Sequence, residues 1–264
     1  MNLALECADA SVRMADKTLL APTTAAFRPG RFAVILGPNG AGKSTLLSIL
    51  AGQRAPTRGE VRLDGRPLAD HALAALALRR ALMPQESAVA FDFTASEIVA
   101  LGRYPHRGRK GAPAQDDDAI VAAAMALTDV SALADRVLNS LSGGEKARVH
   151  LARALAQLWT PSPDGSVRWL LLDEPTAALD LAHQHAAMRL LRDRSREGLG
   201  VVAVLHDLNL ARRYADDVLI LDGAGGVFRG AAAELLEPQL IQQIWRTPCH
   251  QVESADGTPQ FLFG

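Results

Sequence analysis

A glycine-rich run that ends in a lysine and two hydroxyl residues has the clearest chemical potential in this chain. In order it reads Gly37, Pro38, Asn39, Gly40, Ala41, Gly42, Lys43, Ser44 and Thr45. The run matches the pattern G-x-x-x-x-G-K-[ST] and follows an apolar stretch at residues 32–36. Its glycines let backbone N–H groups turn inward around a phosphate, and Lys43 adds a positive charge near the β- and γ-phosphates of a nucleotide. We call residues 37–45 the phosphate loop.

The end of the phosphate loop offers two further contributions to nucleotide binding. The hydroxyl of Ser44 is a suitable ligand for Mg²⁺. A helix that starts near Lys43 would direct the positive end of its dipole at the bound phosphate. The strand, loop and helix order therefore predicts a bound nucleotide with Mg²⁺ as its cofactor.

Two adjacent carboxylates, Asp173 and Glu174, follow the apolar residues 170–172. Such a run predicts a buried parallel strand, and open α/β sheets bind ligands beyond the carboxyl ends of their strands. Asp173 can hold Mg²⁺ directly or through water, and Glu174 can orient and deprotonate an attacking water as general base. This pair predicts nucleotide hydrolysis, and the alternative is that it caps the N-terminus of a helix.

A second candidate anion-binding segment opens the helical stretch at residues 146–158. It reads Leu141, Ser142, Gly143, Gly144 and Glu145, and we call it the signature segment. Ser142 can serve as the N-cap, with free backbone N–H groups beyond it. Taken alone the segment is explained by an ordinary helix cap, but beside the phosphate loop it predicts another nucleotide contact.

Together these motifs resemble those of the ATP-binding cassette ATPases, and the resemblance covers nearly the whole chain. It implies ATP as the nucleotide, a catalytic role for Lys43 and a γ-phosphate contact for His206, which follows the apolar residues 201–205. It also implies that Gln85 senses both Mg²⁺ and the attacking water. The family consensus has Gln where this chain has Glu145, a mild departure because the serine and glycines carry the phosphate contact.

The resemblance further implies a dimer. The interface loop, here Ala178, Leu179 and Asp180, crosses the dimer interface in the family. The phosphate loop of one chain and the signature segment of another clamp one ATP, so a symmetric homodimer satisfies both motifs twice. The family usually stacks an aromatic ring on adenine. The corresponding position here falls near Val12, which is not aromatic. The absence of this ring would remove about 1–3 kcal/mol of contact with the base.

Composition narrows the function classes. The chain has 264 residues, of which 48% are hydrophobic and 22% charged, with a net charge of −1 and a pI near 6.7. This balance gives no basic field for nucleic acid, so we expect no nucleic-acid partner. No apolar run approaches the roughly 18 residues that span a bilayer, and residues 1–10 lack the basic start of a signal peptide. Any membrane span would therefore belong to another chain.

The alternation of strands and helices predicts an α/β fold. We expect a P-loop NTPase (RecA-like) core with an N-terminal antiparallel β subdomain and an inserted α-helical subdomain. The catalytic core would comprise residues 1–85 and 160–264, and the helical subdomain, residues 86–159, would carry the signature segment.

Three functions remain open at this point: the ATPase of a membrane importer, a soluble cassette ATPase, and a P-loop kinase or GTPase. A kinase would lack the signature segment, and a GTPase should show N-K-x-D. Residues 91–94 and 101–106 resemble those of iron-chelate, hemin and cobalamin importers, and residues 181–185 most resemble the hemin-import branch. The importer reading implies two transmembrane permease subunits, a periplasmic substrate-binding protein, and a peripheral location on the cytoplasmic face of the inner membrane.

Overall fold

The computed structural model describes residues 4–85, 91–107, 116–162 and 164–264. The chain forms two compact units, one of residues 1–71 with 191–264 and one of residues 72–190. The predicted helical subdomain, residues 86–159, includes segments outside the described residues. Its boundaries with the catalytic core stay a prediction.

Twelve strands and nine helices are found in the described residues. The strands are β1 (Leu5–Met14), β2 (Lys17–Phe27), β3 (Phe32–Leu36), β4 (Arg58–Leu63), β5 (Arg66–Pro67), β6 (Arg80–Met83), β7 (Trp169–Asp173), β8 (Gly200–Val204), β9 (Asp217–Leu221), β10 (Val227–Ala231), β11 (Cys249–Glu253) and β12 (Pro259–Phe263). The helices are α1 (Lys43–Leu50), α2 (Leu73–Arg79), α3 (Ala95–Leu101), α4 (Asp117–Leu127), α5 (Gly143–Gln157), α6 (Leu181–Arg196), α7 (Leu208–Tyr214), α8 (Ala232–Leu235) and α9 (Pro238–Trp245).

The first unit begins with an antiparallel sheet in the strand order β2-β1-β4-β5. Within it β1 and β2 form one long hairpin, in which Asp9 adopts a left-handed φ of 47° at a register shift between Cys7 and Ala10. Such a bulge interrupts the alternation of apolar and polar residues from which a strand is recognised.

The phosphate loop is supported by a buried parallel arrangement in the first unit. Strand β3 pairs in parallel with β8 on one side and with β9 on the other, and β10 adds to β9 in the antiparallel sense. All five residues of β3 and all five of β8 are buried. The apolar residues before the phosphate loop and before His206 therefore form buried parallel strands.

The second unit combines the parallel pair β6 and β7 with helices α3, α4 and α5, which pack around a shared apolar core. Polar side chains cap the N-termini of α3 and α4. Thr94 forms a capping box with Glu97 at the start of α3, and the side chain of Asp116 accepts the N–H of Ala119 at the start of α4. Across the part of the chain that the structure describes, no helix is both long and apolar enough to cross a membrane.

Helices α3 and α5 cross closely at Gly102. A Cβ atom at this position would lie 2.3 Å from the carbonyl oxygen of Arg153 in α5. The next residue, Arg103, is fully buried and donates to Asp117 and to the carbonyl of Ala156, each at 2.8 Å. The helical packing thus depends on a residue without a side chain followed by a buried, paired guanidinium.

We expect Gly102→Ala to destabilise the second unit, because the methyl group would force the two helix backbones apart. Overpacking of this kind costs about 1–3 kcal/mol. Thermal or denaturant unfolding measures the loss. The matched control is Gly230→Ala in β10, where the added Cβ would make an ordinary contact of 3.6 Å with Leu235. Equal unfolding midpoints for the two variants would contradict the close crossing.

Candidate functional site

Two glycines allow the phosphate loop to pack closely against the backbone of other segments in the first unit. A Cβ atom on Gly37 would lie 2.1 Å from the carbonyl oxygen of Leu221, and one on Gly42 would lie 2.7 Å from that of Leu19. Both residues also have left-handed φ angles, 147° and 97°. Gly40, at φ 79°, instead has no atom of the described residues within 4 Å of its Cβ position. The loop is therefore anchored by Gly37 and Gly42, whereas Gly40 lies at an open position.

Lys43 begins α1, as the sequence predicts, and its side chain folds back over the loop. Its Nζ donates to the carbonyls of Gly37 at 2.8 Å and of Pro38 at 3.0 Å, and the residue is only 5% exposed. A buried ammonium needs such partners, since desolvating an unpaired charge is costly. The same carbonyl contacts hold the positive charge inside the loop.

The two carboxylates lie at the end of the buried strand β7, as predicted. Asp173 is its last residue and is buried, and Glu174 follows with a left-handed φ of 52°. Nε2 of Gln85 lies 3.0 Å from Oε2 of Glu174, so the proposed sensor donates a hydrogen bond to the proposed base. A non-glycine residue in this conformation stores about 1–3 kcal/mol of strain, which its surroundings must offset. Neither the contact nor the strain is apparent from sequence spacing.

The signature segment begins α5 with Ser142 as N-cap, which confirms the predicted cap. Glu145 completes a capping box: its Oε2 accepts the backbone N–H of Ser142 at 2.7 Å, and its own N–H donates to the Ser142 hydroxyl at 3.3 Å. Hydrogen bonds to its carboxylate, first from the Ser142 backbone and then from the Ser142 hydroxyl, lower the pKa of Glu145, and the charges of Arg136 and Arg148 lower it further. Glutamate and glutamine both complete a capping box, which explains why Glu145 fits where the family has Gln.

The signature segment packs directly on the interface loop, a contact that the sequence does not reveal. A Cβ atom on Gly144 would lie 2.9 Å from the carbonyl oxygen of Ala178, and one on Gly143 would lie 3.6 Å from the Cβ of Ala178. Only a glycine permits the closer approach. The two motifs that the resemblance assigns to a dimer interface are therefore neighbours within the second unit.

The interface loop leads into α6 through a side-chain cap. Oδ1 of Asp180 accepts the backbone N–H of His183 at 2.9 Å. Gln184 then donates from Nε2 to the carbonyls of Thr176 at 3.2 Å and of Leu179 at 3.1 Å. These contacts fix the backbone on both sides of Ala178, where the signature segment packs.

His206 lies in the first unit, shortly after β8, and is exposed. Asp207 beside it caps α7 by accepting the backbone N–H groups of Asn209 at 2.7 Å and Leu210 at 2.9 Å. The position near Val12, where the family has an aromatic ring, is occupied by a buried side chain in β1, with Arg13 exposed next to it. Val12 is therefore packed in the core and does not present a surface to a base.

The chemistry of the candidate metal ligands fits Mg²⁺. Ser44 provides a hydroxyl, Asp173 a carboxylate and Gln85 an amide oxygen, since its Nε2 is the atom that faces Glu174. Mg²⁺ prefers such oxygen ligands and usually takes the remainder from water and substrate phosphates. Within the described ranges, no three His, Cys, Asp or Glu side chains are grouped so as to hold a metal ion on their own.

The phosphate loop after β3 and the carboxylate pair after β7 define the class of protein as a P-loop NTPase. The family model for the ABC transporter matches residues 20–177, more than half of the chain. The chain belongs to the ABC transporter family. Cassettes of this family bind and hydrolyse ATP, and the chain is an ATPase of this type.

Curated relatives cover almost the whole chain. The hemin import ATP-binding protein HmuV of Gloeobacter violaceus is 47% identical over 239 residues, which are 90% of this chain and 86% of the relative. The protein of the same name from Pseudomonas aeruginosa is 46% identical over 235 residues, 89% of each chain. Both matches include the phosphate loop, the signature segment and the interface loop within their span.

Solved structures show the same fold. An inward-facing transporter described as of the metal-chelate type contains a chain that is 26% identical, with a TM-score of 0.80 over 100% of this chain and 98% of that one. An ATP-binding cassette solved as a dimer after hydrolysis, with ADP and Pi, is 28% identical, with a TM-score of 0.73 over 86% of this chain and 98% of that one. These matches confirm the predicted α/β P-loop fold with its β subdomain.

The capping box makes a prediction about pH. Because hydrogen bonds lower the folded-state pKa of Glu145, its charge stabilises α5 above the ordinary value of 4.5, and this contribution disappears as the pH falls through the lowered pKa. We expect wild type to exceed Glu145→Gln in unfolding free energy near neutral pH, and the difference to shrink below about pH 4.

Denaturant unfolding at a series of pH values measures this difference. Glu253→Gln is the control, since Glu253 is exposed on β11 and caps no helix. A difference between wild type and Glu145→Gln that stays constant from neutral to acid pH would show that the charge of Glu145 does not contribute.

Proposed function

We propose that this chain is the ATP-hydrolysing subunit of a membrane importer for hemin, working with a separate transmembrane permease. The observation that carries the choice of cargo is the 47% identity, over 90% of the chain, to a protein named for hemin import. The motif at residues 181–185, which resembles the hemin-import branch, agrees with it. Import of a ferric siderophore or of cobalamin is the alternative, since residues 91–94 and 101–106 also resemble those of such importers.

Nucleotide binding is assigned to the phosphate loop. Its backbone N–H groups and the first turn of α1 would surround the β- and γ-phosphates. Lys43 would exchange its contacts with the carbonyls of Gly37 and Pro38 for phosphate oxygens, a change of hydrogen-bond partner that leaves the ammonium paired throughout. This exchange keeps the lysine in place before ATP arrives and so limits the ordering cost of binding.

Hydrolysis is assigned to the second unit's carboxylates. Glu174 would orient the attacking water and accept its proton, with Gln85 holding the carboxylate in position. Asp173 and Ser44 would hold Mg²⁺, which when bound neutralises charge on the β- and γ-phosphates. His206 would contact the γ-phosphate. Support for the assignment of the base comes from the left-handed backbone of Glu174, since strained backbone conformations cluster at active sites.

The assembly that we propose is a homodimer bound to two permease subunits, with a periplasmic substrate-binding protein acting indirectly. The signature segment of each chain would contact the ATP held by the phosphate loop of the other. The chain would lie peripherally on the cytoplasmic face of the inner membrane. Two similarities support this assembly: the cassette solved as a dimer with ADP and Pi, and the transporter that matches this chain over its full length.

Glu174→Gln tests the chemistry. The change removes the base but keeps the size and a hydrogen-bonding group for Gln85, so we expect ATP hydrolysis to fall by roughly 10²-fold or more while ATP still binds. Turnover and nucleotide binding are measured on the purified protein. Glu234→Gln, at an exposed position of α8, is the matched control and should retain full activity. Near-normal turnover in the Glu174 variant would exclude it as the base.

The same variant tests the cargo in the producing cell. Cells that carry only Glu174→Gln should stop growing on hemin as the sole iron source, yet grow normally on a ferric siderophore. The reverse pattern would favour the siderophore alternative and would overturn hemin as the cargo.

Mixed dimers test whether the sites are shared between chains. One dimer carries Lys43→Ala in one chain and Ser142→Arg in the other, and a second dimer carries both changes in the same chain. With shared sites, both lesions of the first dimer fall on one ATP site, so one site stays intact and hydrolysis continues. The second dimer has one lesion in each site and should be inactive.

The contrast between the two dimers supplies its own control, because both contain the same substitutions. Independent active sites predict the opposite result, with the first dimer inactive and the second active in its unaltered chain. ATP hydrolysis per dimer, with composition fixed by different affinity tags, is the measurement.

A further inference from the structure

One imidazole lies between two carboxylates from different segments of the second unit. His183, on the first turn of α6, has its Nδ1 2.9 Å from both carboxylate oxygens of Asp180 in the interface loop. Its Nε2 lies 3.5 Å from Oδ2 of Asp129, which follows α4. The sequence places these two aspartates some fifty positions apart, and neither spacing nor composition connects them.

Asp129 is held in place by a residue of α5, which begins with the signature segment and which we call the signature helix. It adopts a left-handed φ of 54° just past the end of α4. Arg148, on α5, donates from Nη1 to the Asp129 carboxylate at 3.2 Å, to the carbonyl of Thr128 at 3.3 Å and also to the carbonyl of Asp129. The side chain of Arg148 is only 14% exposed, so it is held against this turn along its length.

These contacts form a continuous chain of polar groups from the interface loop to the signature helix. The chain runs from Asp180 through His183 and Asp129 to Arg148. On the other side of the loop, Gly144 packs on the backbone of Ala178. The loop is therefore attached to the signature helix at two points, one by close packing and one through the imidazole.

The imidazole attachment depends on the charge of His183. A neutral imidazole carries one N–H and can donate to one carboxylate, whereas the protonated ring donates from both nitrogens. Two charged groups face the imidazole. Asp180, just before α6, contacts Nδ1, and Asp129, which also forms an ion pair with Arg148, lies near Nε2. The lowered pKa of Asp180, caused by hydrogen bonds from the backbone and then the ring of His183, agrees with an ionised partner there.

We propose that His183 is a positioning residue for ATP hydrolysis, whose protonated ring holds the interface loop to the signature helix by joining Asp180 to Asp129. The proposal rests on the proposed function, in which both segments act on the nucleotide of the partner chain. It gives hydrolysis a dependence on pH that does not come from the base Glu174. The full attachment needs a proton on both ring nitrogens, so it is stronger at acid pH than at alkaline pH.

Two substitutions of His183 mimic the neutral and the protonated imidazole. His183→Gln retains one neutral donor, and His183→Lys retains a permanent positive charge. The ratio of wild-type to His183→Gln turnover should be about 2–5 near pH 5.5, the effect of one exposed ion pair, and should approach 1 near pH 8.5. His183→Lys should match wild type at acid pH and exceed it at alkaline pH. The KM for ATP should not change, because the substitutions leave the phosphate loop intact.

Asp129→Asn should reproduce the effect of His183→Gln, and the double variant should lose no more than either single one. His250→Ala, at an exposed position of β11, is the control and should follow the wild-type pH profile. Steady-state ATP hydrolysis of the assembled protein from about pH 5.5 to 8.5 is measured, with the unfolding midpoint of each variant as a check on folding.

A wild-type to His183→Gln ratio that is constant with pH would overturn the proposal, and so would a Lys variant as slow as the Gln variant at acid pH. If a His183 variant does not fold, Asp129→Asn becomes the test. The ratio of wild-type to Asp129→Asn turnover must then show the same pH dependence. Absence of any ATP hydrolysis by wild type would instead count against the proposed function itself.

Discussion

Close contact between two segments of backbone is the constraint on which the site depends. The phosphate loop can follow β3 only because Gly37 has no side chain to collide with the carbonyl of Leu221. In the second unit, Gly144 permits the same kind of approach between the signature segment and the carbonyl of Ala178. Backbone dipoles are placed more rigidly in this way than flexible side chains could be, and a phosphate is recognised largely by backbone N–H groups.

The carboxylate pair of the second unit is positioned differently, by a strained backbone that a hydrogen bond supports. Strand β7 is buried along its length and ends at Asp173, and the chain turns at the half-buried Glu174. The left-handed backbone at Glu174 makes this turn, and Gln85 fixes the direction of its carboxylate at 3.0 Å. Gln85 lies just past β6, so this hydrogen bond connects the ends of the two parallel strands β6 and β7.

Polar groups, rather than apolar packing alone, join the segments assigned to the dimer interface. Ser142 and Glu145 cap α5 reciprocally, and Asp180 caps α6. Both helices therefore begin at residues whose side chains are already engaged, which fixes the direction of their N-termini. His183, Asp129 and Arg148 then form a polar link from the start of α6 to α5.

Local patterns in the sequence determined much of this protein. The run from Gly37 to Lys43, the apolar strand before Asp173 and the cap at Ser142 are short-range features, in which residue type and spacing within a few positions decide the structure. They predicted the α/β fold, the helix starts and the family, all of which the structure and the comparisons bear out. The roles of the individual site residues stay predictions, because spacing identifies a motif without showing what it does.

The tertiary structure alone decided the contacts between segments that are distant in the chain. The approach of Gly144 to Ala178 and the link from His183 to Asp129 each depend on how helices and loops pack in three dimensions, and no periodicity in the sequence encodes such a pairing. The strain at Glu174 belongs to the same class, since propensity alone would not place a glutamate in a left-handed conformation. Local propensity decides which helices and strands form. Which of them contact one another depends instead on how closely their backbones can pack.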